Sequence, residues 1–172
     1  MNELAITAAL AAGAAVESFG VGTELATSKD APALGGVYKL VELEVGGERQ
    51  YCAKFSPEKA TYPGTKQVFR FRDQKGEYDH DVIGRSGERY AEAEELLVCV
   101  MRDGRWTQLP PALDAVRERA RKQLARLPMR YRELQNAAQF PVEISGKLKA
   151  LQEEVRNQLM QPAGRTGTRG QG

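Results

Sequence analysis

The apolar residues of this chain change period part-way along, and that change fixes the class of fold it can adopt. Val37, Val41, Leu43 and Val45 share one face at period 2, the mark of a half-buried strand. From Leu113 onward the spacing becomes three and four. Leu113, Val116, Ala120, Leu124 and Leu127 form one stripe, and Ile144, Leu148, Leu151, Val155 and Leu159 form a second. A run of strands followed by a run of helices, without alternation, predicts an α+β fold. Gly46-Gly47 is a two-residue hairpin signal leading into 50–55. Residues 66–72 set Gln67, Phe69 and Phe71 on one face and Lys66, Val68, Arg70 and Arg72 on the other. Two further strands follow over 78–83 and 95–102, the latter apolar on both faces, and Asp103-Gly104 turns the chain after it. The expectation is an antiparallel sheet of about five strands. Pro110 and Pro111 open the first helix, over 111–127, while Ser145 caps the second and Pro162 ends it.

The N-terminal stretch carries its own signals. Asn2 is placed to cap a helix through Ala12, and Gly13 supplies its left-handed stop. Residues 16–21 then read as a short buried strand, and Phe19-Gly20-Val21-Gly22-Thr23 as its end. Two glycines around a valine let the backbone approach an anion and offer it amide hydrogens, and Thr23 adds a hydroxyl. Such a loop suits a phosphate or pyrophosphate, although the same pattern also marks ordinary tight turns.

Composition excludes several classes. A net charge of +2 gives no global field for nucleic acid or an anionic membrane. The cations of the first helix, Arg117, Arg119, Arg121, Lys122 and Arg126, lack the aromatics that a stacking surface needs, so they read as a solvated face. The apolar run over 5–16 is broken by Gly13 and falls short of the roughly 20 residues that span a bilayer. It also lacks a basic leader. Cys52 and Cys99, both in runs that read as strands, are expected to be buried free thiols, as in a cytoplasmic protein. His80, in Glu77-Tyr78-Asp79-His80-Asp81, reads as a half-exposed strand histidine among acids. The tail, 162–172, has no apolar anchor and reads as disordered.

The string over 19–42 resembles the C-terminal part of nicotinate phosphoribosyltransferases. That family carries a Phe-Gly-(Val/Ile)-Gly-Thr strand end and then a stretch matched here by Thr27, Ser28, Asp30, Pro32, Leu34, Val37, Tyr38, Lys39, Leu40 and Val41. A second patch, Lys59, Thr61, Pro63, Gly64, Lys66, Gln67, Val68 and Arg70, matches a Lys-x-Thr-x-Pro-Gly-x-Lys-Gln-Val-x-Arg stretch of the same family. The resemblance runs from Asn2 to about Leu159. It implies that residues 1–35 are a helix–strand remnant of a βα barrel, followed by a β-rich segment over 36–108, C-terminal helices over 109–161 and the tail. Family members carry a Ser-Gly-Asp-Leu-Asn-Glu run where this chain begins, so the resemblance implies a truncated or split reading frame.

The resemblance further implies an enzyme of NAD salvage. Nicotinate and phosphoribosyl pyrophosphate would give nicotinate mononucleotide and pyrophosphate, with ATP hydrolysis coupled through a phosphohistidine and magnesium on the pyrophosphate. Gly20, Gly22 and Thr23 would cradle the 5-phosphate, with Lys29, Lys59, Lys66 and Arg70 near the substrate. Glu24, an acid beside the loop, implies that side chains there point away from the anion. The catalytic histidine and nicotinate-binding residues of the family have no counterpart here, so the chain would hold no ATP or metal by itself. Its implied partners are the missing N-terminal portion or a homodimer mate, with no nucleic acid and no membrane. The alternatives are a non-catalytic remnant, a split-enzyme subunit that only binds its other half, or an unrelated β-sheet binding module.

Overall fold

A computed structural model describes residues 1–33 and 35–160. The expected tail, with Pro162, and the motif position Leu34 lie outside the described residues. Two compact units are present: Met1–Tyr38 with Met129–Gln139, and Lys39–Pro128 with the chain from Phe140 onward.

In the first unit, α1 (Glu3–Ala11) begins where the Asn2 side chain accepts the Ala5 amide at 3.0 Å. It ends as Gly13 turns to φ +79°, with Ala14 N–H donating to Ala9 O and Gly13 N–H to Leu10 O, the paired bonds of a glycine C-cap. No residue of α1 is buried. The expected strand over 16–21 is absent. Residues 14–22 are irregular and Val16 is exposed. A strand needs a ladder partner, and among the described residues none pairs with this stretch. A short helix, α2 (Thr23–Thr27), follows Gly22 at once and ends at Ser28 with φ +47°.

In the second unit, β1 (Glu42–Val45) and β2 (Glu48–Tyr51) form a hairpin at the expected turn, but the second strand covers 48–51 in place of 50–55, and Val37 lies outside the first strand and is exposed. Gly46 and Gly47 both take positive φ, as the tight primed turn requires. β3 (Lys66–Arg72) covers the expected residues and pairs antiparallel with β4 (Tyr78–Arg85), which runs two residues further than expected. One correction concerns the sheet. In place of five antiparallel strands there are two separate hairpins and a four-stranded mixed sheet, ordered β5-β3-β4-β8, in which β4 and β8 run parallel. Here β5 is Glu94–Glu95 and β8 is Val142–Ile144, a strand the sequence did not announce.

The continuous strand expected over 95–102 is also corrected. It breaks after β5, and its apolar residues Leu97, Val98 and Val100 are exposed. In place of a backbone ladder, the buried Gln67 side chain holds Leu97 by both polar groups: Nε2 donates to Leu97 O at 2.9 Å, and Leu97 N–H donates to Oε1 at 2.8 Å. The chain then makes the hairpin β6 (Met101–Arg102) and β7 (Arg105–Trp106) around the expected Asp103-Gly104 turn.

α3 (Leu113–Arg126) forms close to its expected bounds, but its apolar stripe is not buried: Leu113 is 63% exposed and Leu124 57%. α4 (Gly146–Met160) packs against β4. Leu148, Leu151 and Val155 of its expected stripe join Phe69, Tyr78 and Val82 in the core, while Leu159 stays exposed. Each such fully buried side chain contributes about 1.5–3 kcal/mol. Ser145 is the expected cap, its Oγ accepting the Leu148 amide at 3.1 Å. The cysteine expectation is corrected in part: both thiols are free, but Cys52 is half-buried and Cys99 exposed. Neither lies in a strand. No helix among the described residues is long and apolar enough to cross a membrane.

Candidate functional site

The glycine loop lies open in the first unit. A Cβ at Gly20 or Gly22 would meet nothing within 4 Å and neither φ lies in the left-handed region, but Gly22 sits at φ −99°, ψ −105°, outside the regions that a side chain readily allows. The amides of Gly20, Val21 and Gly22 have no hydrogen-bond partner among the described residues. Thr23 lends its carbonyl to the Thr27 hydroxyl, and its own hydroxyl is exposed. Beside the loop, Lys29 Nζ donates to Glu24 Oε1 at 2.7 Å, and that hydrogen bond and charge raise the lysine pKa. Glu24 and Lys29 are thereby paired with each other. A cleft of about 310 Å³ next to it is lined by Glu3, Glu24 and Asp30. An anion on that side would meet carboxylates, so its attraction to the loop would come from the amides and the Thr23 hydroxyl.

The second sequence patch does not converge. Lys59 is exposed on the 56–59 turn, and Thr61 Oγ1 accepts the Lys54 amide. Gly64, at φ +79°, packs so closely that a Cβ would sit 3.3 Å from both Leu151 and Tyr51. Lys66 Nζ donates to Gly64 O at 2.7 Å, and burial lowers its pKa. Arg70 clasps Asp81 through Nε and Nη2, at 2.8 and 2.7 Å, and lies 4.7 Å from the Tyr78 ring. The hydrogen bond to Asp81 raises the Arg70 pKa further. These are structural commitments, and they leave Arg70 closed off. His80, half-buried, bonds Asp79 at 2.8 Å and stacks on Phe71 at 4.5 Å, in keeping with its strand reading.

A polar cleft that sequence reasoning missed opens instead beside Gly64. Its volume is about 310 Å³, and Arg49, Arg85 and Lys147 line it together with the hydroxyls of Thr65 and Ser86. Its buried carboxylate, Glu88, is held by three donors: Ser145 Oγ–H at 2.6 Å, Arg85 N–H at 2.7 Å and Tyr90 O–H at 3.0 Å. Burial pushes the Glu88 pKa up, but these bonds and the Lys147 charge outweigh it and leave the pKa below its ordinary value. No sequence signal marks the cleft, because its cations stand 36 and 62 positions apart (49 to 85, then 85 to 147).

Comparison with known proteins gives a consistent result. A family model described as the nicotinate phosphoribosyltransferase C-terminal domain matches residues 89–152. A nicotinate phosphoribosyltransferase of Mycobacterium tuberculosis is 40% identical over 150 residues, which cover 86% of this chain and 31% of that relative. The Homo sapiens enzyme of the same name is 31% identical over 173 residues, covering 88% of this chain and 32% of its own length. The fold is similar to the crystal structure of human nicotinic acid phosphoribosyltransferase, with a TM-score of 0.59 and 28% identity over 72% of this chain and 27% of that one. The chain spans about a third of the length of these curated relatives.

Proposed function

Because the chain matches the C-terminal portion of nicotinate phosphoribosyltransferases in sequence and in fold, we propose that it serves as that portion of an enzyme of NAD salvage. In the reaction proposed, the pyridine nitrogen of nicotinate attacks the anomeric carbon of phosphoribosyl pyrophosphate as pyrophosphate leaves. The task of this chain is to hold the 5-phosphate against the amides of Gly20 and Gly22, with the Thr23 hydroxyl as a further donor. The observation that carries the assignment is the run of main-chain amides over Gly20, Val21 and Gly22, which are unpartnered among the described residues in a loop with open space around both glycines. Amide dipoles fixed before the phosphate arrives lower the cost of binding it.

Lys29 would join only by leaving Glu24, and Lys59, Lys66 and Arg70 act in this reading as scaffold. Among the described residues no three His, Cys, Asp or Glu side chains converge as metal ligands. No step is routed through metal or ATP on this chain. A scaffold-only role is the second reading, favoured by α1 and α3, neither of which buries a residue.

Grafting this chain in place of the matching third of the Mycobacterium tuberculosis relative tests the proposal. An active chimera is expected. In it, Gly20→Val with Gly22→Val should raise KM for phosphoribosyl pyrophosphate about tenfold or more, leaving KM for nicotinate little changed. An active chimera whose phosphoribosyl pyrophosphate KM ignores both valines would leave the scaffold reading in its place.

A further inference from the structure

We infer that the cleft beside Gly64 is an anion site built from residues of the second unit alone and suited to a phosphate-bearing small molecule. The inference does not rest on the salvage reading. It begins with which charges are already engaged. Arg49 Nε lies 3.0 Å from Glu42 Oε1, and Glu42 Oε2 accepts the Thr65 amide at 3.2 Å, so that pair is closed. Glu88 faces its three protein donors. What remains is cationic. The half-buried Arg85 guanidinium has one side-chain bond, to Tyr51 Oη at 3.2 Å, and no carboxylate within ion-pair distance among the described residues. Lys147 lines the same cleft, is exposed, and has no ion-pair partner among the described residues.

The neutral donors complete the arrangement. Thr65 Oγ1 and Ser86 Oγ share one hydrogen bond at 2.9 Å. Two hydroxyls bring two hydrogens, so one is left to point elsewhere. In the turn from Arg85 to Glu88, closed by Glu88 N–H to Arg85 O, the Gly87 amide has no partner among the described residues. A Cβ at Gly87 would meet nothing within 4 Å, and its φ is not left-handed. The site therefore offers a forked guanidinium, an ammonium, a hydroxyl and a main-chain amide. Donors arriving from several directions suit a tetrahedral oxyanion better than a planar carboxylate, whose two oxygens a single arginine already satisfies. A space of about 310 Å³ exceeds one phosphate ion, so the phosphate is expected to carry a small organic group.

The test is an amide NMR titration of the full chain with inorganic phosphate and then glycerol phosphate, at constant ionic strength. Saturable shifts are expected at Thr65, Ser86, Gly87 and Lys147. Arg85→Gln and Lys147→Gln should each raise Kd about tenfold, the weight of one charge-assisted contact. Lys147 is exposed at the start of α4, so its variant is expected to fold even if the Arg85 variant does not. Drift without saturation, a Kd indifferent to Lys147→Gln, or succinate binding as tightly as phosphate would each overturn the inference.

Discussion

Glu88 is a buried carboxylate with three donors, two from its own turn, Arg85 and Tyr90, and one from far along the chain, Ser145. Gly84 lies against it: a Cβ there would sit 2.9 Å from Glu88 Oε1 and 3.1 Å from Phe69. Position 84 must therefore stay bare for the carboxylate to reach its donors. Removing the charge while keeping the shape, by Glu88→Gln, should cost about 2–3 kcal/mol in urea unfolding at pH 7, since hydrogen bonds to a charged group are the stronger kind. The pH dependence follows from the direction of the shift. The folded pKa lies below the ordinary value, so the stabilisation is fully present above the unfolded-chain value of about 4.3 and is lost as pH falls through the folded one. Unfolding curves collected from pH 6 to pH 3 should show wild type losing its advantage over Glu88→Gln. An advantage that is constant across that range would contradict the account. Ser145 was legible in the sequence as a cap, because it stands just ahead of an apolar stripe. Its second role, donating to Glu88, was not, because strand register and helix docking bring together positions 57 residues apart.

At the scale of elements, local chemistry was readable and tertiary pairing was not. Gly46-Gly47, Asp103-Gly104, Gly13 and Asn2 act through their own backbone or cap, and each appears where the sequence placed it. The stretches 16–21 and 95–102 failed as strands because a strand is defined by its neighbour, and alternation of side chains does not say whether one exists. The helices divide in the same way. α4 supplies much of the core and α3 none of it, although both show clean stripes. Leu148→Ala should therefore cost about 2–5 kcal/mol, whereas Leu124→Ala should stay within about 0.5 kcal/mol. Hydrogen exchange is expected to run in parallel, with α3 amides exchanging well before those of β3, β4 and α4. Equal protection in α3 and α4 would show that the stripe of α3 is covered after all.

For the molecule as a whole, the resemblance was legible because it rests on ordered strings of residue types. The cleft was not, because its residues are scattered and individually ordinary. The exposed apolar side chains between 97 and 113 include Val98, Val100, Trp106 and Leu109, the last 90% exposed. So many large apolar side chains exposed along one short stretch make a liability to associate the expectation. Light scattering on size-exclusion peaks should show self-association that grows with concentration. Trp106→Ser with Leu109→Ser should reduce it, and a monodisperse monomer up to high concentration would count against the surface being sticky.

The grip of Gln67 on Leu97 carries a lesson in tolerance. One amide group extends the strand edge by a residue beyond its last backbone bond, Leu96 N–H to Val68 O, and it succeeds because it can give and take a hydrogen bond at once. Glutamate, a single codon step away, is nearly identical in outline yet could only take. That swap would forfeit the bond to the Leu97 carbonyl while leaving the four-stranded sheet its register, so a change almost invisible in an alignment would loosen the run leading to the second hairpin.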